Sequence, residues 1–217
     1  MDSNDSSDRA RALKLTPVSR ETEDRLVAIV ALLEKWQRTI NLVAPLSLPH
    51  IWTRHIADSL QLVALAGEAN NWVDLGSGGG FPGLVVAAAM AERPDANIIL
   101  IESDTRKAAF LREAARIAEL PATVLPSRIE AVAEAIAPGV EIVSARALAP
   151  LPKLLELARP FLAQGATGLF LKGQDVDSEL TEASKSWKIE ASIKESLTDP
   201  SGRILVVNAA APLKPAR

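Results

Sequence analysis

At 217 residues and 48% hydrophobic content, the chain can bury a full core as one large domain with a small attachment. It contains no cysteine, which excludes a disulfide framework, a thiolate metal site and a cysteine nucleophile, and no metal is expected. A net charge of −3 argues against a protein that coats nucleic acid by neutralising many phosphates, while leaving room for a local basic patch.

Residues 1–16 are polar, acidic and serine-rich, without a hydrophobic period, and are expected to be a disordered leader. They lack the apolar centre of a secretory signal, and "LVVAAAMA" is too short to cross a bilayer, so a cytoplasmic protein without a membrane partner is expected. Residues 17–70 read as a helical region. Leu26, Ile29, Val30, Leu33 and Ile40 recur at helical spacing, and a second helix is expected after Pro45, with Ser47 as its N-cap and Gly67 as its stop.

From residue 71 to about 210 the pattern changes to alternating strands and helices. "NWVDLG", "ANIILIES", "ATVLP", "VEIVSA" and "ATGLFLKG" read as five short strands, each followed by a helical stretch except the last. Such alternation predicts an α/β fold with a parallel sheet covered on both faces. "WKIEASIKES" and "RILVVNA", joined through the turn-rich "LTDPSG", predict a terminal hairpin, and residues 211–217 form a tail.

The turn "DLGSGGGFPG" follows the first strand and can be read in two ways. Gly78, Gly80 and Gly83 spell the G-x-G-x-x-G spacing of dinucleotide sites. Asp74, Gly76, Gly78 and Gly80 spell D-x-G-x-G, typical of proteins that bind S-adenosylmethionine. In a parallel sheet this turn lies at the ligand edge, and its glycines let backbone approach a ligand. Asp74 favours the second reading, because a carboxylate would repel a pyrophosphate but welcome an ammonium group. Glu102 ends the second strand, where a carboxylate can accept two ribose hydroxyls; it could equally pair with Arg106. Ile129 and Glu130 follow the third strand, Arg146 the fourth, and Lys172-Gly173 the fifth. Arg146 could hold a carboxylate or a phosphate through two hydrogen bonds.

The segments "NLVAP", "HIADSL", "DLGSGGGFPG", "IESDTRKAAFL", "SRIE", "SARALAPL" and "LFLKG" run in one order from about residue 36 to residue 173. In them the chain resembles the bacterial 16S rRNA guanine-N7 methyltransferases, the glucose-inhibited division protein B or ribosomal small subunit methyltransferase G family. The resemblance implies a class I S-adenosylmethionine-dependent methyltransferase fold, a Rossmann-like sheet with an antiparallel terminal hairpin and an N-terminal helical extension. It implies cofactor contacts at Gly76, Phe81, Ile129, Glu130 and Arg146, with Asp74, Gly78 and Glu102 at general methyltransferase positions. The implied partner is 16S rRNA or the 30S subunit, and a monomer is expected. Gly79 departs from the alanine or proline frequent in the family.

The residue inventory is consistent with that chemistry. Pyrimidine C5 methylation needs a covalent nucleophile, normally cysteine, and "SARA" stands where exocyclic adenine methylation usually leaves Asn/Asp-Pro-Pro-aromatic. Guanine N7 carries an available lone pair and loses no proton, so positioning suffices and no residue is assigned as catalytic beyond Arg146 as a candidate. Arg106, Lys107, Lys153 and Lys172 are candidate RNA contacts, and Arg112 and Arg116 share the helix of the first two. His55 and Asp58, three apart on a helix, are either a pair at the cofactor rim or RNA surface, or an ordinary packing contact. Trp36 and Trp52 lie among apolar helix positions, where core packing competes with base stacking. Three other readings stay open: methylation of a small molecule or another RNA, a nicotinamide-dependent oxidoreductase, and a ribosome-assembly factor without catalysis.

Overall fold

The computed structural model describes residues 3–213. Seven strands form one sheet in the order β3-β2-β1-β4-β5-β7-β6. The five expected parallel strands are β1 (Asn71–Leu75), β2 (Asn97–Ile101), β3 (Ala122–Leu125), β4 (Ile142–Arg146) and β5 (Thr167–Lys172). The hairpin strands β6 (Trp187–Glu195) and β7 (Arg203–Pro212) complete the sheet, and β7 runs antiparallel to β5. Chain order reverses between β1 and β4, which pair in parallel with Val73 opposite Val143. Adjacent chain crossovers leave that junction on opposite faces and open a crevice beyond the strand ends.

Strand alternation divides the core in two. Trp72, Ile98 and Leu100 face one layer, packed against α2 (Arg20–Gln37), α4 (Gly83–Met90) and α5 (Thr105–Ile117). Val73, Leu75 and Val143 face the other, against α6 (Ile129–Ile136) and α7 (Leu151–Leu162). The first layer also takes in Leu26, Ile29 and Leu33 of α2, so the N-terminal helices share a core with the sheet.

Three expectations differ from the structure. Ser3–Leu15 is a helix, α1, where a disordered leader is expected. Its anchors are polar: the Asp8 carboxylate accepts the amides of Trp52 and Thr53 at 2.9 and 3.2 Å and the Thr53 hydroxyl, while Arg9 pairs with Glu23 at 2.5 Å. Only distant partners reveal such a helix, because its own sequence carries little apolar period. The segment after Ala44 is a composite, with a 3₁₀ turn at Pro45–His50, a π-helical turn at Trp52–Ala57 and an α-helix, α3, at Asp58–Ala66. Ser47 is therefore not an N-cap; its hydroxyl donates back to the Ala44 carbonyl at 2.7 Å. A further helix, α8 (Val176–Ala183), fills the interval after β5, and its Glu179 accepts the Leu151 amide at 2.6 Å. Residues 214–217 of the expected tail lie outside the described residues.

Candidate functional site

The turn after β1 is held by backbone geometry. Gly76, Gly78 and Gly80 take φ of 65°, 54° and 89°, a region that penalises any Cβ. Ser77 donates its amide to the Ile101 carbonyl at 3.0 Å, folding the turn across the end of β2. Glu102 then braces it: its Oε2 accepts the Gly78 amide at 2.8 Å and its Oε1 accepts the Asp104 amide at 2.7 Å. A carboxylate oxygen has a second lone pair, so Glu102 can still accept from a ligand. Arg106 does not pair with Glu102; it approaches Asp104 at 4.0 Å.

These residues open onto a cavity of about 430 Å³ beyond the ends of β1 and β4. Such a volume and position suit a small-molecule ligand. Of the residues expected to bind a cofactor, Gly76, Gly78, Phe81, Glu102, Ile129, Glu130 and Arg146 line it together. Leu42 and Val43 form a wall that sequence patterning gave no reason to place there. Gln37 fixes that wall, its Oε1 accepting both amides at 2.9 and 3.1 Å. Gly79 allows its close approach, since a Cβ there would lie 2.7 Å from the Leu42 carbonyl oxygen.

Asp74 does not line the cavity. Strand alternation turns it to the same face as Trp72, where it is fully buried. Its Oδ1 accepts the Ser144 hydroxyl at 2.7 Å, and Ser144 in turn accepts the Trp72 indole N–H at 2.8 Å. Its Oδ2 has no hydrogen-bond partner among the described residues. Burial pushes the carboxyl up to about 6, against the Ser144 hydrogen bond. Gly83 is explained by the same carboxylate: a Cβ there would sit 2.7 Å from Asp74 Oδ2 and 2.3 Å from Leu100 Cδ2. Thus Asp74 supports the turn from behind and would repel a pyrophosphate at the start of α4, rather than greeting a ligand directly.

Arg146 joins residues that the sequence left unconnected. His55 and Asp58 do not bond each other; both meet Arg146. The guanidinium Nη1 donates to His55 Nδ1 at 2.9 Å and stands 3.9 Å from Asp58 Oδ2. An acceptor Nδ1 fixes the neutral tautomer, whose Nε2–H donates to the Ser47 hydroxyl at 2.9 Å. Burial, with Arg146 and then Arg54 nearby, lowers the imidazole pKa to about 3. The His55 ring also packs on Phe81, with centroids 4.8 Å apart. The three-residue spacing signalled that His55 and Asp58 share a face, but gave no sign of an arginine ninety residues away.

The candidate RNA contacts divide. Lys107 borders the cavity, and Arg106 is exposed beside it. Lys172 is bound to Glu179 at 2.6 Å, and Lys153 to Glu156 at 3.0 Å. Arg128, which the sequence reading did not single out, is exposed at the rim. Trp52, Trp72 and Trp187 are buried, and Trp36 packs edge-on against Phe110 at 5.9 Å.

A family profile described as rRNA small subunit methyltransferase G (GidB) matches residues 22–204. The chain is 57% identical over 202 residues to the ribosomal RNA small subunit methyltransferase G of Bradyrhizobium sp. (strain ORS 278), covering 93% of this chain and 91% of that protein. It is 52% identical over 204 residues to the protein of that name from Rhodopseudomonas palustris (strain BisB5), covering 94% and 88% respectively. Among solved structures, it is similar to the O-methyltransferase TomG from Streptomyces achromogenes in complex with SAM. That likeness has a TM-score of 0.59 at 14% identity, covering 94% of this chain and 96% of TomG. The fold is that of the class I methyltransferases, and the chain belongs to the rRNA small subunit methyltransferase G (GidB) family.

Proposed function

We propose that the chain transfers a methyl group from S-adenosylmethionine to N7 of a single guanine in 16S rRNA. The observation that carries this reading is a cofactor-sized cavity whose imidazole is already spent as an acceptor. With Nδ1 facing Arg146 and its pKa lowered to about 3, His55 is a poor proton acceptor. Guanine N7 needs none, because its lone pair attacks directly and no proton is lost.

The residues fit the cofactor. Glu102 keeps free lone pairs for two ribose hydroxyls, and Ile129 offers a mostly buried apolar face beside the turn. Gly76 and Gly78 expose backbone without side-chain bulk, and Phe81 packed on His55 closes one wall against water. When bound, S-adenosylmethionine supplies a methyl group activated by a positive sulfonium. The protein contributes alignment and water exclusion, effects that can account for much of a rate enhancement. Glu130 and Arg146 complete the cavity, while Lys107, Arg106 and Arg128 form a local basic rim in a chain of net charge −3. That rim suits phosphate contacts of RNA better than a neutral small substrate. Family membership supports the rRNA substrate, and the engagement of the cavity's imidazole by Arg146 supports N7 over acceptors that must lose a proton to it.

Incubation with methyl-labelled S-adenosylmethionine and 30S subunits or naked 16S rRNA from a strain lacking the enzyme tests this directly. Nuclease digestion and mass spectrometry should find one labelled N7-methylguanosine. Label at another atom, or in no RNA, would refute the assignment.

A further inference from the structure

A second cavity, also of about 430 Å³, lies on the far side of Arg146. It shares Arg146 and Ala147 with the first cavity, so the two cavities meet along these residues. The loop between β6 and β7 forms its outer wall through Thr198, Asp199, Ser201 and Gly202. This loop is fastened to α3: Asp58 Oδ1 accepts the hydroxyls of Ser196 and Thr198 at 3.1 and 2.9 Å, and Gln61 Oε1 accepts the Leu197 amide at 2.7 Å. Gly173 borders the cavity, and a Cβ there would meet nothing within 4 Å, so space is open at that side.

The polar groups of this cavity can be sorted by whether they are already engaged. Lys172 and Glu179 pair with each other at 2.6 Å, and Asp58 spends Oδ1 on the loop hydroxyls while its Oδ2 faces the Arg146 guanidinium at 3.9 Å. Asp199 Oδ1 accepts both the amide and the hydroxyl of Ser201, at 2.8 and 2.7 Å, while its Oδ2 accepts no hydrogen bond among the described residues. Arg54 is exposed and forms no ion pair among the described residues. Arg146 spends Nη1 on His55 and keeps further N–H groups. The remaining groups are therefore the Arg146 guanidinium at the boundary with the first cavity and the Asp199 carboxylate in the loop, with the Arg54 charge near Asp199. A phosphate would meet the Asp199 charge unfavourably. A neutral ring with acceptors on one edge and donors on the opposite edge matches both.

Resting on the reading of the first cavity as the cofactor site, we infer that the second cavity receives the acceptor guanine, with Asp199 as the residue that determines base specificity. Guanine carries O6 beside N7 on one edge, and N1–H with the N2 amine on the other. Turning N7 toward the cofactor cavity brings the neighbouring O6 to the Arg146 guanidinium and the N1/N2 edge to the hairpin loop. There the free Asp199 oxygen accepts the ring and amine hydrogens. Adenine is rejected on both sides, since it presents an amine to Arg146 and a bare ring nitrogen to Asp199. The base must leave its stack to enter, as in other enzymes acting on a base within structured nucleic acid.

The test uses 16S rRNA assembled into 30S subunits, with either guanosine or inosine at the methylated position. Inosine retains N7 and O6 but lacks the N2 amine. The full-length wild-type chain should prefer guanosine by about tenfold or more in kcat/KM, the effect of one hydrogen bond to a charged group. Asp199→Asn keeps an oxygen for Ser201 but turns a donor toward the base. It should lower kcat/KM on guanosine by about tenfold or more and shrink the guanosine-to-inosine ratio toward one. S-adenosylmethionine affinity by calorimetry should stay at the wild-type value, separating base recognition from misfolding. An unchanged ratio in Asp199→Asn, with transfer intact, overturns the role of Asp199 alone. Failure of the wild-type chain to methylate either RNA overturns the cofactor and substrate reading beneath it.

Discussion

Asp74→Asn tests the claim that the aspartate of the glycine turn faces the core and not the ligand. Burial raises its carboxyl from an ordinary 3.8 to about 6. An acid whose folded pKa is raised binds more protons folded than unfolded between those values. Stability from this group therefore falls as pH rises through that window and levels off above it. A shift of this size integrates to about 3 kcal/mol, of which about 2 kcal/mol is lost between pH 4.5 and 7.5. Asparagine does not titrate, so the comparison removes every other group from the difference. Urea denaturation at several pH values should show wild type losing about 2 kcal/mol relative to Asp74→Asn across that interval. Two parallel stability curves would mean that the carboxylate is solvated, and would refute its placement behind the turn.

Other substitutions address other parts of the account. Gly76→Asp forces φ of 65° on a side chain whose Cβ would sit 2.5 Å from Leu148 Cδ1, and should abolish calorimetric binding of S-adenosylmethionine. Ser144→Ala strands the Trp72 indole N–H and the Asp74 carboxylate in the core. It should cost about 2–4 kcal/mol in urea denaturation, and a loss under 1 kcal/mol would refute the buried chain. His55→Ala removes the acceptor that orients Arg146 and should lower kcat on rRNA about tenfold or more, a lost hydrogen bond to a charged group. His55→Gln, which can offer an acceptor, should recover part of that loss; no recovery would argue for simple loss of packing.

The parallel strands, the terminal hairpin and the glycine turn were legible because each rests on local pattern: apolar runs of strand length, turn residues and bare backbone. The ligand-edge residues were legible for a related reason, since strand ends in a parallel sheet must converge at the chain reversal. Long-range polar contacts were not. α1 is held by Asp8 on the amides of Trp52 and Thr53, more than forty residues away. The orientation of Asp74 follows from strand alternation, which places it with Trp72, but an aspartate in D-x-G-x-G invited a ligand role instead. Arg146 was expected at the crevice, whereas its hold on His55 and Asp58 depends on how the π-helical turn faces β4. The loop carrying Asp199 read only as a hairpin connection, because nothing local shows that it closes a second cavity.

The most direct measurement is a mass-spectrometric scan of 16S rRNA from cells lacking this gene, complemented with the wild-type chain or Arg146→Ala. The account predicts that one N7-methylguanosine disappears on deletion, returns with the wild type and does not return with Arg146→Ala. An unchanged modification profile on deletion would contradict it.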